Sequence, residues 1–307
     1  MTDLASGARR DNVGRGIACA LVAILIFSTQ DAVSKLLVQS VSPFQMTMMR
    51  FWAFAAFSVL LAMRRGSIRQ ALATRHLPWQ ILRGMLLVSD IWMFVLSLRT
   101  VQLPEVQSIT LVYPLLVTLA AIPLLGEKVG PFRLTAVAVG FLGALVIVRP
   151  GGVPLDWGVL FAVGSGACYA LYIVLTRRVS RDDSPGTSMV YVGLVGLVAS
   201  SAVGIFFWAP LDWRTALLVG YIMFTGVAAH GLMILALSLA PASVLQPFNY
   251  ASLPFSIVLS VIVFQHMIDP LSLLGAAVIV GAGLVVMARE RIRAVPVAAE
   301  PTLPGKE

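Results

Sequence analysis

A polar stripe interrupts the first strongly apolar segment of the chain. Phe27, Gln30, Asp31 and Ser34 recur at positions i, i+3, i+4 and i+7, so they share one face of a helix. A charged side chain at membrane depth costs roughly 2.5 to 3.5 kcal/mol, so it usually faces a cavity or a partner. The stripe is therefore predicted to line an internal cavity or to hydrogen-bond to another helix.

Asp31 and Lys35 stand four residues apart in this segment, with the acid first. That order favours an ion pair within one helix. The pair has two interpretations: mutual neutralisation near the outer end of the segment, or an outer gate that also anchors a zwitterionic substrate.

Two further ionisable residues lie deep in other apolar segments. Asp90 is near the middle of the third segment, and Arg83 lies on the same face two turns earlier. Asp90 is expected either to be a paired or hydrogen-bonded carboxyl, or to bind a substrate amino group or a proton. His230, in the middle of the eighth segment, is either a packed, hydrogen-bonded residue or a cavity group that binds a carboxylate or titrates near neutral pH.

Several aromatic and amide side chains complete the candidate site. Tyr169 and Tyr172, one turn apart, and Trp92 lie too deep for interfacial belts, which leaves interhelical packing or stacking on an aromatic substrate. Prolines break the fourth and ninth segments, and such breaks tend to line cavities. The candidates beside these prolines are Tyr113, Gln246, Asn249 and Tyr250.

The elements that must position these residues are membrane spans. Of the 307 residues, 59% are hydrophobic and only 12% are charged, with a mean hydropathy of +0.91, whereas a soluble domain has about a quarter of its residues charged. Stretches of roughly 20 apolar residues cross a bilayer as helices. Ten such spans are predicted, at 14–38, 43–63, 78–99, 103–125, 131–148, 157–179, 185–208, 215–238, 241–264 and 270–288.

The distribution of basic residues predicts the orientation. The net charge is +8, and the lysines and arginines lie mostly in short gaps between spans. This distribution is typical of basic residues that orient a membrane protein and not of a nucleic-acid-binding surface. With the N-terminus inside, only Arg99, Arg149 and Arg214 fall on the opposite side. We therefore expect a multi-pass protein of the bacterial inner membrane with both termini cytoplasmic, no cleaved signal peptide and no obligatory protein partner. Its two cysteines lie within apolar stretches, and neither a cofactor nor a metal is expected.

The two halves of the chain resemble each other. Gly16, Phe27 and Lys35 match Gly158, Tyr169 and Arg177 at one offset, and Pro114, Pro131 and Gly143 match Pro254, Pro270 and Gly283 at nearly one offset. Each half has five spans, and consecutive copies of an odd unit enter the membrane from opposite sides. The predicted layout is a cytoplasmic tail at 1–13, inverted five-helix repeats at 14–150 and 151–291, and a cytoplasmic tail at 292–307. Inverted repeats are typical of secondary transporters.

With these motifs, and with Gly126-Glu127-Lys128 after the fourth span, the chain resembles the drug/metabolite transporter superfamily over about residues 14–290. It is most similar to EamA-type ten-helix members, and among these to the YddG-type bacterial amino-acid exporters. The resemblance implies an all-α integral membrane fold with ten helices around a central cavity. The second repeat departs from the pattern, because Gln265-His266 stands where the first has Gly126-Glu127.

The resemblance implies export of amino acids, notably aromatic and other neutral ones, and related metabolites by alternating access. The alternative is a carrier of another metabolite, such as S-adenosylmethionine or a drug-like cation. The substrate is a small molecule and the surrounding partner is the lipid bilayer. An intramembrane enzyme is disfavoured because the sequence contains no G-x-S-x-G, no H-E-x-x-H and no paired aspartates within a span. A channel or receptor does not require an inverted repeat.

Overall fold

The computed structural model describes residues 2–65, 67–126, 130–149, 153, 155–180, 182–239 and 245–293. This part of the chain is helical and contains no strand. Its α-helices are α1 (Thr2–Leu37), α2 (Pro43–Arg65), α3 (Ile68–Ala71), α4 (Leu77–Ser97), α5 (Leu103–Thr110), α6 (Tyr113–Leu125), α7 (Pro131–Ile147), α8 (Trp157–Val179), α9 (Pro185–Gly204), α10 (Trp213–Leu239), α11 (Ser252–Phe264) and α12 (Pro270–Arg293). Two 3-10 segments occur, at Ile205–Phe207 and Gln246–Ala251.

Seven stretches in the described residues are long and apolar enough to cross a membrane: Gly14–Leu37, Pro43–Arg64, Leu77–Ser97, Leu103–Leu125, Trp157–Thr176, Gly186–Phe207 and Trp213–Met233. Three shorter apolar helices, Leu134–Ile147, Phe248–Phe264 and Pro270–Val286, fall where further spans are predicted. Large apolar side chains such as Leu145 and Ile262 are exposed on the outer surface, which a lipid environment explains. The protein is therefore a multi-pass membrane protein.

Some boundaries differ from those predicted. Helix α1 begins at Thr2, so residues 2–13, predicted as a separate tail, continue the helix of the first span. Helix α12 likewise runs on to Arg293. The predicted start of the ninth span at residues 241–244, and the tail beyond residue 293, lie outside the described residues.

The helices at the predicted fourth and ninth spans are interrupted beside their prolines. Helix α5 ends at Thr110 and α6 begins at Tyr113, one residue before Pro114, which has no N–H to continue the helical hydrogen bonding. The 3-10 segment Gln246–Ala251 contains Pro247 and leads directly into α11. Both spans end in a left-handed residue, Gly126 at φ 69° and Gln265 at φ 56°. The backbone therefore makes the same left-handed turn at both positions, although one residue is glycine and the other glutamine.

Helix packing follows a paired pattern. The main contacts are α1 with α10, α4 with α8, α2 with α9 and α7 with α12, and α6 packs on α8 as α11 packs on α1. Exchanging each helix of the first half for its counterpart in the second converts the α1–α10 contact into the α8–α4 contact. The α7–α12 contact is especially close: a Cβ at Gly275 would lie 2.5 Å from the Gly143 carbonyl oxygen.

Candidate functional site

A cavity of about 570 Å³ lies between α2, α3, α4, α8 and α9, at the end of the bundle where α2 ends and α9 begins. The part of the cavity nearest the end of the bundle is rich in hydroxyl groups, and its deeper part reaches Phe54, Leu87 and His230. The hydroxyl-bearing residues of its wall include Ser58, Ser67, Thr176, Ser184, Thr187 and Ser188. A smaller cavity of about 30 Å³ shares Phe54, Leu87 and His230 and extends to Arg50. Because the two cavities share these wall residues, cavity space extends from one end of the bundle towards its middle.

His230 lies on the wall between the two cavities. Its Nδ1 is 2.7 Å from the Gly226 carbonyl oxygen, so Nδ1 carries the proton and donates. In the neutral ring, Nε2 is then left as an acceptor. The rings of Phe27 and Phe54 pack edge-on against the imidazole, with centroids at 5.0 and 4.9 Å. The histidine is thus both a packed, hydrogen-bonded residue and part of the cavity wall.

Three tyrosines form a continuous row beside the larger cavity. The Tyr113 and Tyr169 rings meet edge to face with centroids 4.8 Å apart, and Tyr169 and Tyr172 stack at 5.8 Å. Tyr172 lines the cavity. At the other end of this tyrosine row, Asn249 Nδ2 donates to the Tyr113 hydroxyl at 3.3 Å. The row therefore leads from the cavity wall to the two interrupted spans.

The remaining aromatic candidates lie in packed regions. The Trp92 ring contacts Phe44 with centroids 5.3 Å apart. Tyr250 is buried, and its hydroxyl leaves no room for a Cβ at Gly283. Neither of the two cavities includes Trp92 or Tyr250 in its lining. The side chain of Gln246 lies outside the described part of the chain.

The predicted Asp31–Lys35 ion pair is not formed among the described residues. The Lys35 ammonium donates instead to the carbonyl oxygens of Leu98 at 2.6 Å and Val101 at 2.7 Å. These carbonyls lie in the turn after α4, where the chain leaves the helix and backbone acceptors lack helical partners. The long lysine side chain thus joins α1 to the end of α4, and Asp31 is left without this partner.

Arg83 does not pair with Asp90 either. Its guanidinium donates to Thr176 Oγ1 at 3.2 Å and to the Ser188 carbonyl, and it lies over the Tyr172 ring at 5.5 Å from the centroid. Asp90 Oδ1 accepts a hydrogen bond of 2.6 Å from Ser165 Oγ. Arg83 therefore links α4 to α8 and α9 at the cavity wall, while Asp90 is held by α8.

Arg50 belongs to the site and is missing from the residues predicted from the sequence. It lines the smaller cavity, and its guanidinium interacts electrostatically with the carboxylates of both Asp31 and Asp90. The three residues lie six or seven positions from the ends of α1, α2 and α4 that point to the same side of the bundle. At 1.5 Å per residue that is a common depth of about 10 Å. The sequence signal for Arg50 is its position in the second span, at the same predicted depth as Asp31 and Asp90.

The end of the bundle opposite the larger cavity is joined by polar contacts between the two halves. Gln45 Nε2 donates to the Ala209 carbonyl oxygen at 2.8 Å, and His266 Nε2 lies 2.9 Å from Glu105 Oε1. The Arg149 guanidinium is 3.1 Å from Asp269, which also caps the start of α12. The hydrogen bond from Ser272 and, after it, the contact with Arg149 lower the pKa of Asp269 to about 2. These contacts fasten the halves together at this end.

Apolar spans around a cavity with polar and aromatic walls are the arrangement expected of a multi-pass membrane transporter. The sequence profile of the EamA-like transporter family matches residues 14–149 and again 156–288, and the chain belongs to this family.

Similar proteins with a named substrate include transporters of riboflavin and of S-adenosylmethionine. The chain is 32% identical over 235 residues to a riboflavin transporter of Vibrio cholerae, covering 75% of this chain and 78% of the other. A riboflavin transporter of Brucella anthropi is 28% identical, with 89% and 96% covered. An S-adenosylmethionine uptake transporter of Rickettsia conorii is 25% identical, with 90% and 93% covered.

A solved crystal structure has the same fold, with a TM-score of 0.63 and 20% identity over 91% of this chain and 98% of that one. The superfamily and EamA resemblance predicted from the sequence is confirmed. The finer resemblance to YddG-type exporters is not supported, because the relatives named above carry riboflavin or S-adenosylmethionine.

Proposed function

We propose that this protein carries a planar, uncharged aromatic metabolite across the membrane, and that this metabolite is riboflavin or a close flavin. The observation that carries the proposal is the tyrosine row, which ends at Tyr172 on the wall of a cavity of about 570 Å³. A flavin is a flat tricycle that stacks on aromatic rings, and its ribityl hydroxyls match the hydroxyl-rich wall. Cavities of roughly 300 to 1,000 Å³ hold ligands of this size.

Similarity to the riboflavin transporters of Vibrio cholerae and Brucella anthropi supports the same substrate. The uncharged flavin suits a site in which Arg50 is already balanced by an acid. The earlier expectation of amino-acid export has the aromatic wall in its favour, but no similar support from relatives.

Transport by alternating access is part of the proposal. The paired packing of α1–α10 with α4–α8, and the separate matches of the family profile to each half, support two inverted five-helix repeats. The excess of arginine and lysine at the end that holds the larger cavity supports a cytoplasmic position for that end, in a bacterial inner membrane. In this orientation the structure is the inward-facing state, and the contacts at the opposite end form the closed outer gate.

A second candidate substrate is S-adenosylmethionine. Asp31 and Asp90 oppose a single Arg50, which gives the group an excess of one negative charge when all three are ionised. A sulfonium cation would balance that excess. The Rickettsia relative supports this candidate.

Uptake into proteoliposomes distinguishes the candidates. The purified protein is reconstituted, and entry of radiolabelled riboflavin and S-adenosylmethionine is measured with and without unlabelled competitor. We expect saturable riboflavin uptake that excess riboflavin suppresses and tryptophan does not. Tyr172→Ala should reduce this uptake, whereas Phe206→Ala, at an exposed lipid-facing side chain, should not. Saturable uptake of S-adenosylmethionine alone would replace the proposal with the second candidate.

A further inference from the structure

Three charged residues lie at one depth on three different helices of the first half of the chain. Asp31 is on α1, Arg50 on α2 and Asp90 on α4, at the same depth. In the described residues, α1 packs mainly on α10 and makes no substantial contact with α2 or α4. The electrostatic interaction of Arg50 with Asp31 therefore acts across the space between α1 and α2, whereas α2 and α4, which carry Arg50 and Asp90, are in contact.

The three groups differ in how the protein satisfies them. Asp90 accepts a short hydrogen bond from Ser165. Arg50 and Asp31, by contrast, have no hydrogen-bond partner among the described residues, and no ion pair within 4.0 Å joins them to an opposite charge. A structural ion pair in a membrane interior requires direct contact and further hydrogen bonds to offset desolvation. Arg50 and Asp31 instead present a free donor and a free acceptor.

Neighbouring groups also point to a ligand at this place. Gln30 is 1% exposed, and its Oε1 has no hydrogen-bond partner in the described structure. That oxygen would lie 3.1 Å from a Cβ at Gly226, which lines the smaller cavity together with Arg50 and His230. A buried amide oxygen without a partner carries a desolvation cost. A ligand that donates to this oxygen would remove that cost.

We propose that Arg50 and Asp31 bind the pyrimidinedione edge of the flavin, and so determine which aromatic solute the carrier accepts. This inference rests on the proposed function. The edge presents two carbonyl oxygens on either side of an N3–H, an acceptor–donor–acceptor pattern. The guanidinium of Arg50 donates to one carbonyl oxygen, and the Asp31 carboxylate accepts from N3–H.

The rest of the interior follows from this assignment. Asp90, held by Ser165, balances the charge of Arg50 while Asp31 binds the ligand. The edge-on contacts of Phe27 and Phe54 with His230 provide an aromatic wall beside the polar group. The three charged residues therefore all lie in the first half of the chain, whereas the tyrosine row extends from the first half into the second.

The test compares riboflavin with 3-methylriboflavin, in which a methyl group replaces the N3 hydrogen. Binding to the purified wild-type protein is measured by quenching of flavin fluorescence. Hydrogen bonds to charged groups contribute about 1.5 to 3 kcal/mol, so riboflavin should bind about 10- to 100-fold more tightly. Asp31→Ala should bind both flavins equally. Arg50→Lys, which keeps the charge and loses the forked donor, should weaken both flavins while the preference for riboflavin remains.

The outcomes separate this inference from the proposed function. An affinity of Arg50→Lys for both flavins equal to that of the wild type would overturn the role of Arg50 and leave the function standing. Riboflavin binding without any preference over 3-methylriboflavin would overturn the role of Asp31 and likewise leave the function standing. A persistent preference in a folded Asp31→Ala protein would do the same, because the methyl group would then clash elsewhere. Binding of neither flavin would overturn the proposed function and this inference together. Arg99→Gln, at an exposed arginine outside the site, is the matched control and should bind as the wild type does.

Discussion

The amide of Asn249 donates to the hydroxyl of Tyr113 across 3.3 Å, which joins the two interrupted spans of the protein. Each residue lies beside a break in its own span, and the two spans come from different halves of the chain. Tyr113 also carries the edge contact with Tyr169 that begins the tyrosine row. Tyr113 thus lies beside the break in its own span and contacts the other half of the chain. It is also part of the aromatic wall.

Removing the Tyr113 hydroxyl tests this connection. Tyr113→Phe keeps the ring against Tyr169 and loses the hydrogen bond, so we expect the free energy of unfolding to fall by about 0.5 to 1.5 kcal/mol. Tyr113→Ala removes the ring as well and should be more destabilising. Thermal unfolding in detergent measures both. Equal stability of the Phe variant and the wild type would show that the hydrogen bond contributes nothing.

The left-handed residues that end α6 and α11 give a second prediction. Gln265 adopts φ 56°, a conformation that is unfavourable for a residue with a side chain, whereas Gly126 adopts φ 69° without that cost. Gln265→Gly should therefore stabilise the protein by up to about 1 kcal/mol, and Gly126→Gln should destabilise it by a similar amount. The measurement is the unfolding midpoint of the two variants. A Gln265→Gly protein less stable than the wild type would mean that the glutamine side chain outweighs the backbone cost.

Two glycines of α12 make a matched pair for the α7–α12 interface. A Cβ at Gly275 would lie 2.5 Å from the Gly143 carbonyl oxygen, and a Cβ at Gly281 would meet nothing within 4 Å. Gly275→Ala should cost about 1 to 3 kcal/mol through overpacking against backbone that cannot move aside. Gly281→Ala should be neutral or stabilising because alanine favours the helix. Equal stability of the two variants would mean that α7 and α12 separate easily.

Asp269 predicts a pH dependence of stability. Its pKa falls from 3.8 to about 2 in the folded protein because of the hydrogen bond from Ser272 and, after it, the contact with Arg149. A lowered folded-state pKa means that the contribution is fully present above about pH 4 and is lost as the pH falls through about 2. Asp269→Asn should flatten the loss of stability in that window. Unfolding midpoints from pH 5 to pH 2 test this, and identical profiles for variant and wild type would contradict it.

Much of the architecture follows from the sequence because lipid imposes simple rules. Long apolar stretches, prolines and a duplicated motif predict where α1, α8 and the interruption at Tyr113 lie, since each depends on local composition. The partners of charged side chains do not follow from local spacing. Lys35 reaches the carbonyl oxygens of Leu98 and Val101, although an acid stands four residues away, because the end of α4 supplies free acceptors.

The candidate site was predictable in composition and not in arrangement. His230, Tyr169 and Tyr172 lie at the cavity or beside it, whereas Trp92 and Tyr250 are packed away from it. A single helix cannot reveal which aromatic faces the interior when all of its sides are apolar. Arg50 does not follow from the sequence of its own span, because the acids with which it interacts electrostatically lie on other helices.

Equilibrium binding of riboflavin to the purified protein tests the central claim most directly. Titration with the wild type should quench flavin fluorescence saturably, because the isoalloxazine stacks along the tyrosine row. Tyr172→Ala should weaken this binding, and excess S-adenosylmethionine should not displace the flavin. A well-folded protein that fails to quench riboflavin, or that releases it to S-adenosylmethionine, would contradict the assignment of a flavin as the carried solute.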